Sequence, residues 1–308
     1  MSSSQICNVY QFQKELNEHY CNLLSTPTNI EQIPDDLELL QKIRDMEDTW
    51  DGYEVSRVSQ DTLPDSVSDF TDWYKNLKLN YRNNVSYFFD YLSDKADTTE
   101  IAFYVCLEEQ VDGHFDDVIA MSQLGLQGKP KLVIAENYWD EMGCGNLDDV
   151  HTQMFSVSAN FFKEILKKGG IDLPNQIPYE ALKNGNMLMM YGLRRRFIGR
   201  LIGAIGILED TAPHRFAATV EGMKRCNIPD YVIRYHEAHS DVDSEHGAEL
   251  LQGVILPIIG ENKVLMKEIC LGMLIRYRIA LDYYASIYRW IKTLDRKHLN
   301  NYTQLIYS

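Results

Sequence analysis

Apolar residues recur every three to four positions along most of the chain, and no stretch alternates between apolar and polar residues long enough to predict a β-strand. The pattern predicts helices, and glycine and proline pairs such as Gly169-Gly170 separate them. The predicted fold class is therefore all-α, a bundle of many helices. The expected helices span approximately residues 9–24, 37–46, 70–78, 84–94, 98–124, 132–145, 148–167, 180–209, 213–224, 230–254 and 261–294.

The first 80 residues differ in character from the rest. Residues 35–60 are acidic, and residues 61–70 are rich in Ser, Asp and Pro, which is typical of a connector. No combination of catalytic side chains occurs before residue 80. We therefore predict an N-terminal helical extension over residues 1–80, which serves as an extra helical layer or a dimer contact, and a main domain over residues 81–308.

Three polar residues lie at helical spacing in the segment 235–246. His239, Asp243 and His246 occupy positions i, i+4 and i+7, so in a helix they share one face. Two imidazoles and a carboxylate suit a divalent metal ion of intermediate softness, especially iron. The alternative interpretation is a solvated, histidine-rich helix surface.

Other polar residues interrupt apolar helical faces elsewhere. Glu108 lies within an apolar stripe that includes Ile101 and Val105, whereas its neighbour Glu109 lies on a more polar face. A buried carboxylate is costly unless it is paired, hydrogen-bonded or metal-bound. The choice between Glu108 and Glu109 stays open at this stage. The complete set of candidate metal ligands is Glu108, Glu141, His151, Glu209, His239, Asp243 and His246.

A helical bundle can hold a dinuclear metal site between carboxylates and histidines that project inward from several helices. The ferritin-like version of such a site uses paired Glu-x-x-His motifs, and this chain contains no Glu-x-x-His. The order of the segments instead resembles the haem-oxygenase-like diiron oxidases and oxygenases, over residues 85–295. His239, Asp243 and His246 match that family's His-x3-Asp-x2-His motif, and Glu141 followed by His151 resembles its Glu-then-His pair.

The resemblance also assigns roles to the remaining carboxylates. Glu209 corresponds to the family's bridging glutamate, and Glu108 to its upstream extra carboxylate. The implied fold is the seven-helix haem-oxygenase-like bundle, here with an extra N-terminal helical segment. The implied cofactors are two Fe ions and O2, which react through a peroxo-diiron(III) species to oxidise a bound substrate.

The resemblance leaves the substrate open. We expect N-oxygenation of an amine in a small, amino-acid-derived molecule of a natural-product pathway, because the three arginines Arg194–Arg196 and the 19 tyrosines suit a zwitterion. The arginines have an alternative interpretation as a solvated helix face. The alternative reactions are oxidative C–C cleavage, decarboxylation or desaturation of an amino acid or fatty acid.

Other functions remain as alternatives. A haem enzyme would need an axial histidine near its first helix, where His19 is the one candidate and lies outside the matching core. A thiaminase-like hydrolase would need an activated cysteine, and neither Cys106 nor Cys144 has an adjacent histidine in sequence to activate it. A metal-storage protein and a non-catalytic helical scaffold of the same fold complete the alternatives.

Composition and charge limit which binding partners and which cellular compartment are expected. The 308 residues carry a net charge of -15, and the pI is about 4.9, which argues against nucleic acid or an anionic membrane as partner. No apolar run reaches the roughly 18 residues that a transmembrane helix needs, and no signal-peptide pattern occurs. Six cysteines without a CxxC pair fit a reducing compartment. We expect a cytoplasmic enzyme with a small-molecule substrate and, by analogy, a homodimer.

Overall fold

A computed structural model describes residues 3–27, 36–171, 173 and 177–293, without the side chains of residues 3–7 and 241–245. Within these ranges the regular structure is helical, so the all-α prediction is confirmed. The helices are α1 Ser3–Leu24, α2 Leu37–Ser56, α3 Val67–Asp94, α4 Thr98–Asp112, α5 Phe115–Ser122, α6 Gly128–Glu141, α7 His151–Lys168, α8 Tyr179–Leu193, α9 Ile198–Arg225, α10 Asp230–Glu249, α11 Leu256–Glu261 and α12 Lys263–Thr293.

Several helix boundaries differ from the sequence-based expectation. The helices expected at 70–78 and 84–94 form the single helix α3, which also runs across the predicted domain boundary at residue 80. The helix expected at 98–124 is divided at Gly113 and His114 into α4 and α5. Helix α3 thus contributes to both predicted parts. The division into two domains stays a prediction.

The expected continuous helix over residues 180–209 is wrong. α8 ends at Leu193, Arg194 adopts an extended backbone with φ -105° and ψ 100°, and a 3-10 turn over Arg195–Phe197 leads into α9. Arg194 ion-pairs with Glu47 at 2.9 Å and Asp48 at 2.8 Å on α2. The run of arginines therefore marks a helix junction held by contacts with other elements.

The other two arginines of this junction are exposed at the surface. Arg195 donates to the carbonyl oxygen of Met121 in the last turn of α5 and to that of Leu124 in the loop that follows. Arg196 contacts Asp48 at 3.2 Å. Arg195 and Arg196 are therefore partly solvated, as the alternative interpretation expected. All three arginines also contact other parts of the protein.

The N-terminal helices pack on the rest of the chain through polar contacts. The Asn186 amide on α8 donates to the Gln13 carbonyl of α1 at 2.8 Å, and the Tyr20 hydroxyl donates to Glu47 of α2 at 2.9 Å. Both Tyr20 and Glu47 are buried. Residues 8–24 and 37–56 thus form an additional layer against α8.

The buried apolar side chains form two clusters, and the helices run from one cluster into the other. On α9, Leu208 belongs to the first cluster and Ala212 to the second, and Glu209 lies between them. On α4, Glu108 lies between Leu107 of the second cluster and Val111 of the first. The polar residues singled out by the sequence therefore lie where the two apolar clusters meet.

The end of α10 has an irregular continuation. A π-helical segment, Leu250–Ile255, follows α10 and leads directly into α11, where a plain α-helix was expected up to residue 254. π-helical turns are rare and occur frequently at functional sites. Among the helices described, none is both long enough and apolar enough to cross a membrane.

Candidate metal centre

Three of the predicted ligands lie together in the structure. Glu141, His151 and His239 bring one donor atom each within 4.8 Å of one another. Glu141 ends α6, His151 begins α7 and His239 lies in the middle of α10. Glu141 and His239 are buried, and only 13% of the His151 side chain is exposed. The three donor atoms thus converge from three helices in a region with little access to water.

The turn after Glu141 brings His151 back beside it. Gly143 has φ +59°, and a Cβ atom there would lie 2.5 Å from the carbonyl carbon of Asp149. Only glycine combines that backbone conformation with that close approach at no steric cost. The result is that His151 Nδ1 lies 3.0 Å from Glu141 Oε2.

The hydrogen bonding of His239 determines which ring nitrogen is available to a ligand. Nδ1 lies 2.7 Å from the backbone carbonyl of Tyr235, which can only accept, so we assign the proton to Nδ1. Burial and the charge of His151 lower the pKa of His239 well below its usual range. His239 is therefore neutral with a free lone pair on Nε2, which is the arrangement typical of a metal-ligating histidine.

His151 has the opposite electrostatic environment. Burial alone would lower its pKa, but the hydrogen bond and the negative charge of Glu141 raise the pKa above the usual value. Its ring lies 4.4 Å from the His239 ring, centroid to centroid. The pKa values of the two histidines are thus shifted in opposite directions.

Glu209 is the second buried carboxylate of this region. It is 3% exposed, and its Oε1 atom has no hydrogen-bond partner among the described residues. Burial and the negative charge of Glu141 raise the pKa of Glu209 to about 8, against the opposing influence of Arg215 and Asn137. A buried carboxylate oxygen without a donor is costly, and a bound cation would remove that cost.

The remaining two residues of the His-x3-Asp-x2-His motif are less defined. His246 Nε2 lies 3.4 Å from Asp140 Oδ2, and His246 is not one of the three residues whose donor atoms converge. The side chain of Asp243 is outside the described part of the chain. This end of α10 packs closely against α9. A Cβ atom on Gly247 would lie only 2.5 Å from the Cα atom of Asp210, so the two backbones are in close contact there.

Glu108 is buried, as expected from the apolar stripe, but it has partners of its own. Its carboxylate accepts hydrogen bonds from Arg215 and, at 2.5 Å, from the Tyr283 hydroxyl. Arg215 also makes two hydrogen bonds of 3.0 Å to Asp112. The structure therefore does not bring Glu108 into the group of three donors.

Glu109 has a surface environment instead. Its side chain is 38% exposed and pairs with Lys163 at 2.6 Å. Of the two adjacent glutamates, Glu108 is thus the one in the interior.

Two polar residues beside the donors were missed in the sequence. Asn137 is 4% exposed, and among the described side chains neither of its amide atoms has a partner with hydrogen-bond geometry, although the amide lies close enough to Glu209 to lower the pKa of Glu209. His236 is buried with Nδ1 unpartnered, and burial followed by the charge of Arg215 lowers its pKa to about 3. Asn137 precedes Glu141 by four residues and His236 precedes His239 by three, so helical spacing from a candidate ligand was the available signal.

The donor set fits a divalent metal ion. Two imidazoles together with carboxylates suit iron, manganese or zinc, and the neutral state of His239 is the state that binds a metal. A nucleophilic cysteine is not supported, because burial raises the pKa of Cys106 to about 12 and a thiol in that state is inert.

Comparison with known proteins agrees with this chemistry. No curated protein matches the chain. The family model for iron-containing redox enzymes matches residues 103–281, which is more than half of the chain and includes all seven candidate ligands. The match confirms the expected haem-oxygenase-like fold. The chain therefore belongs to the family of iron-containing redox enzymes, and its activity is that of an oxidoreductase.

Proposed function

We propose that this protein is a non-haem diiron oxygenase that uses O2 to N-oxygenate an amine of a small, amino-acid-derived substrate. The observation that carries the proposal is the buried group of Glu141, His151 and His239, with the partnerless carboxylate oxygen of Glu209 beside it. Three convergent donors and an unmatched buried carboxylate favour a metal centre over a purely structural polar cluster.

The proposal assigns a role to each candidate ligand. Glu141, His151 and His239 would hold one iron, and Glu209, Asp243 and His246 would complete the site, where the family resemblance implies a bridging role for Glu209. Glu108 would join only by exchanging its contacts with Arg215 and Tyr283. When bound, the reduced iron pair supplies the electrons that activate O2 for oxygen transfer to the substrate.

The protein's own residues orient the ligands and exclude water. The Tyr235 carbonyl fixes the His239 ring through Nδ1. The Phe216 ring packs on His239 with 4.7 Å between ring centroids, and Phe155 packs on Tyr235 at 5.0 Å. Aromatic walls of this kind keep a site dry, which strengthens every electrostatic interaction in it.

A small cavity of about 10 Å³, which is room for about one water molecule, lies along residues 207–212 of α9. The cavity is lined by tyrosines and arginines together with a few aliphatic side chains, namely Tyr81, Tyr277, Tyr284, Arg215, Arg276, Ile207, Leu208, Thr211 and Ala212. A space of this size holds neither an amino acid nor a fatty chain, so the cavity does not distinguish between the two substrate classes. The arginines of the α8–α9 junction no longer support the substrate class, because their described contacts are with the protein.

Anaerobic Fe(II) titration followed by an oxygen pulse tests the metal centre. We expect about two irons per chain and a transient visible absorbance band in the wild-type protein. The band should disappear in His239→Ala and persist in His114→Ala, a matched substitution at the start of α5. No iron uptake and no transient in the wild-type protein would overturn the proposal.

Product analysis with 18O2 then tests the reaction. Candidate amino acids that accelerate the decay of the band are incubated with the iron-loaded enzyme. Oxygen label on the substrate nitrogen supports N-oxygenation. Loss of two hydrogens or of a carbon fragment would instead establish desaturation or C–C cleavage.

A further inference from the structure

A second and larger cavity lies away from the candidate ligands. It has a volume of about 550 Å³ and lies between α1, α2, α8 and α12, and none of the seven candidate ligands lines it. The walls from α1 and α2 precede residue 58 and are outside the family match at 103–281. The volume is within the range of about 300–1,000 Å³ that is common for small-molecule sites.

Aromatic rings form much of the cavity wall. Phe12, Trp50, Tyr53 and Tyr179 all line it. Trp50 is only 5% exposed, and its Nε1 donates to Glu54 at 3.0 Å, which fixes the indole in place. The cavity therefore offers preorganised ring surfaces to a ligand.

Four charged residues of the lining neutralise one another. Lys183 lies 2.7 Å from Glu54 and 3.4 Å from Asp282, and Arg57 lies 2.6 Å from Asp282 and 3.1 Å from Glu54. Two cations and two carboxylates thus close a ring of ion pairs. This group adds no net charge to the cavity.

Glu180 forms no ion pair within the described ranges, and the remaining cation of the lining, Arg289, is exposed to solvent. Glu180 is 9% exposed, it lines the cavity, and within the described ranges no Lys, Arg or His nitrogen lies within 4.0 Å of its carboxylate. The neighbouring hydroxyl is that of Tyr179, whose pKa is raised to about 12 by burial, by the charge of Glu180 and by a hydrogen bond to it. Its place in the first turn of α8 gives Glu180 some favourable dipole interaction. A buried carboxylate nevertheless remains costly without a cation.

We propose that this cavity binds an organic ammonium ion with an aromatic apolar part. The ammonium group pairs with Glu180, and the apolar part packs against Trp50, Tyr53 and Phe12. An ammonium group close to aromatic faces gains further cation–π attraction. Because the cavity shares no residue with the candidate metal ligands, this ligand binds a second site, distinct from the substrate position at the iron.

Calorimetric titration of the full-length, iron-free protein tests the proposal. The probe is 2-phenylethylammonium, and 3-phenylpropionate is the probe of similar size and opposite charge. We expect the ammonium probe to bind at least tenfold more tightly than the carboxylate probe. Equal affinity for the two, or no measurable binding of the ammonium, would overturn the proposal without any need for a variant.

Variants locate the binding. Glu180→Gln should weaken ammonium binding at least tenfold, and the matched variant Asp230→Asn, an exposed acid in the first turn of α10, should leave it unchanged. Unchanged binding by a folded Glu180→Gln protein would show that Glu180 serves only the helix dipole and would overturn the proposal. Glu180→Asp keeps the charge and should retain most of the affinity.

Two further readouts separate this site from the metal centre. In protein labelled with 5-fluorotryptophan, the probe should shift the resonance of Trp50, which is assigned by its absence in Trp50→Phe. His239→Ala should bind the probe as the wild-type protein does. Loss of binding in His239→Ala would place the ammonium at the metal centre and overturn the second site, whatever the iron titration shows.

Discussion

Two groups of buried carboxylates lie side by side in this bundle, and they differ in what surrounds them. Glu108 and Asp112 share Arg215 between them, and Tyr283 supplies a further hydrogen bond to Glu108. Glu209 and the donors around Glu141 have no arginine or lysine in ion-pair contact, and one oxygen of Glu209 has no protein partner in the described chain. The first group therefore contains its own cation, whereas no arginine or lysine of the described residues pairs with the second.

The comparison teaches how to separate a structural cluster from a binding centre. Both groups consist of acidic residues on apolar helical faces, and burial raises the pKa of both Glu108 and Glu209. The difference is the presence of a permanent cation. A cluster that contains its own arginine needs no ligand, so missing partners are the better indicator of function.

The largest effect is expected from removal of the internal cation. Arg215→Met leaves two buried carboxylates without a counter-ion, and breaking such a buried pair costs about 3–5 kcal/mol. Urea denaturation of the iron-free protein measures the loss. The matched variant Arg234→Met removes an exposed arginine that pairs with Asp149, and it should cost less than about 1 kcal/mol. Similar small losses in both variants would remove the distinction between the two groups.

Glu209→Gln should change stability little but reduce iron binding. The substitution keeps the shape, and the pKa of about 8 leaves the Glu209 carboxyl largely protonated at pH 7, so the free energy of unfolding of the iron-free protein should change by less than about 1 kcal/mol. Iron binding should fall from two ions to one or none, as measured by anaerobic titration. A Glu209→Gln protein that still binds two irons would show that this carboxylate is not a ligand.

Glu108→Gln tests whether the buried Glu108 is a structural residue or a metal ligand. Loss of the charge weakens the contacts with Arg215 and Tyr283, and we expect about 1–3 kcal/mol of lost stability. Its exposed neighbour provides the control, since Glu109→Gln should change stability by less than about 0.5 kcal/mol. If Glu108 is structural, the iron content stays at two, and a lost iron would instead make Glu108 a ligand.

Asp282 at the larger cavity gives a third case, a partly exposed carboxylate that pairs with Arg57 and Lys183. Burial alone would raise the pKa of Asp282, but the hydrogen bond from Arg57 and the charge of Lys183 lower it overall. A lowered pKa in the folded state stabilises the protein above the unfolded value of 3.8, and the stabilisation disappears as the pH falls through the folded value.

Asp282→Asn should therefore cost about 1 kcal/mol at pH 7, because the Asp282 side chain is 27% exposed and that of Arg57 is 18% exposed. Below pH 3.8 the difference between variant and wild type should shrink towards zero. Urea denaturation at pH 7, 4.5 and 3 measures both. A difference that grows in acid would contradict the assigned sign.

The fold class and the region of the site could be predicted because both depend on local spacing. Helical periodicity placed Glu108, Glu209 and His239 on apolar faces, and all three are buried. The partner of Glu108 could not be predicted, because Arg215 follows it by 107 residues and meets it only in the folded bundle. No local signal separates a carboxylate that has an arginine opposite it from one that does not.

The break at Arg194 was missed for a related reason. Arginine favours helices, and Gly192 in the last turn of α8 was a weak signal for the break, because Gly185, Gly199 and other glycines of the segment lie inside helices. The extended backbone at Arg194 is held instead by ion pairs with Glu47 and Asp48 of α2. The N-terminal layer, outside the family match, thus contributes to the shape of the family core.

The three converging donors also have a consequence for how the protein acquires its metal. Nearly one hundred residues separate Glu141 from His239, and the donors come from three different helices. An unfolded chain cannot present them together, so iron binds the native state and shifts the folding equilibrium towards it by mass action. Maturation must then follow folding, and a cell short of iron would accumulate a folded, empty enzyme with a lower melting temperature than the loaded one.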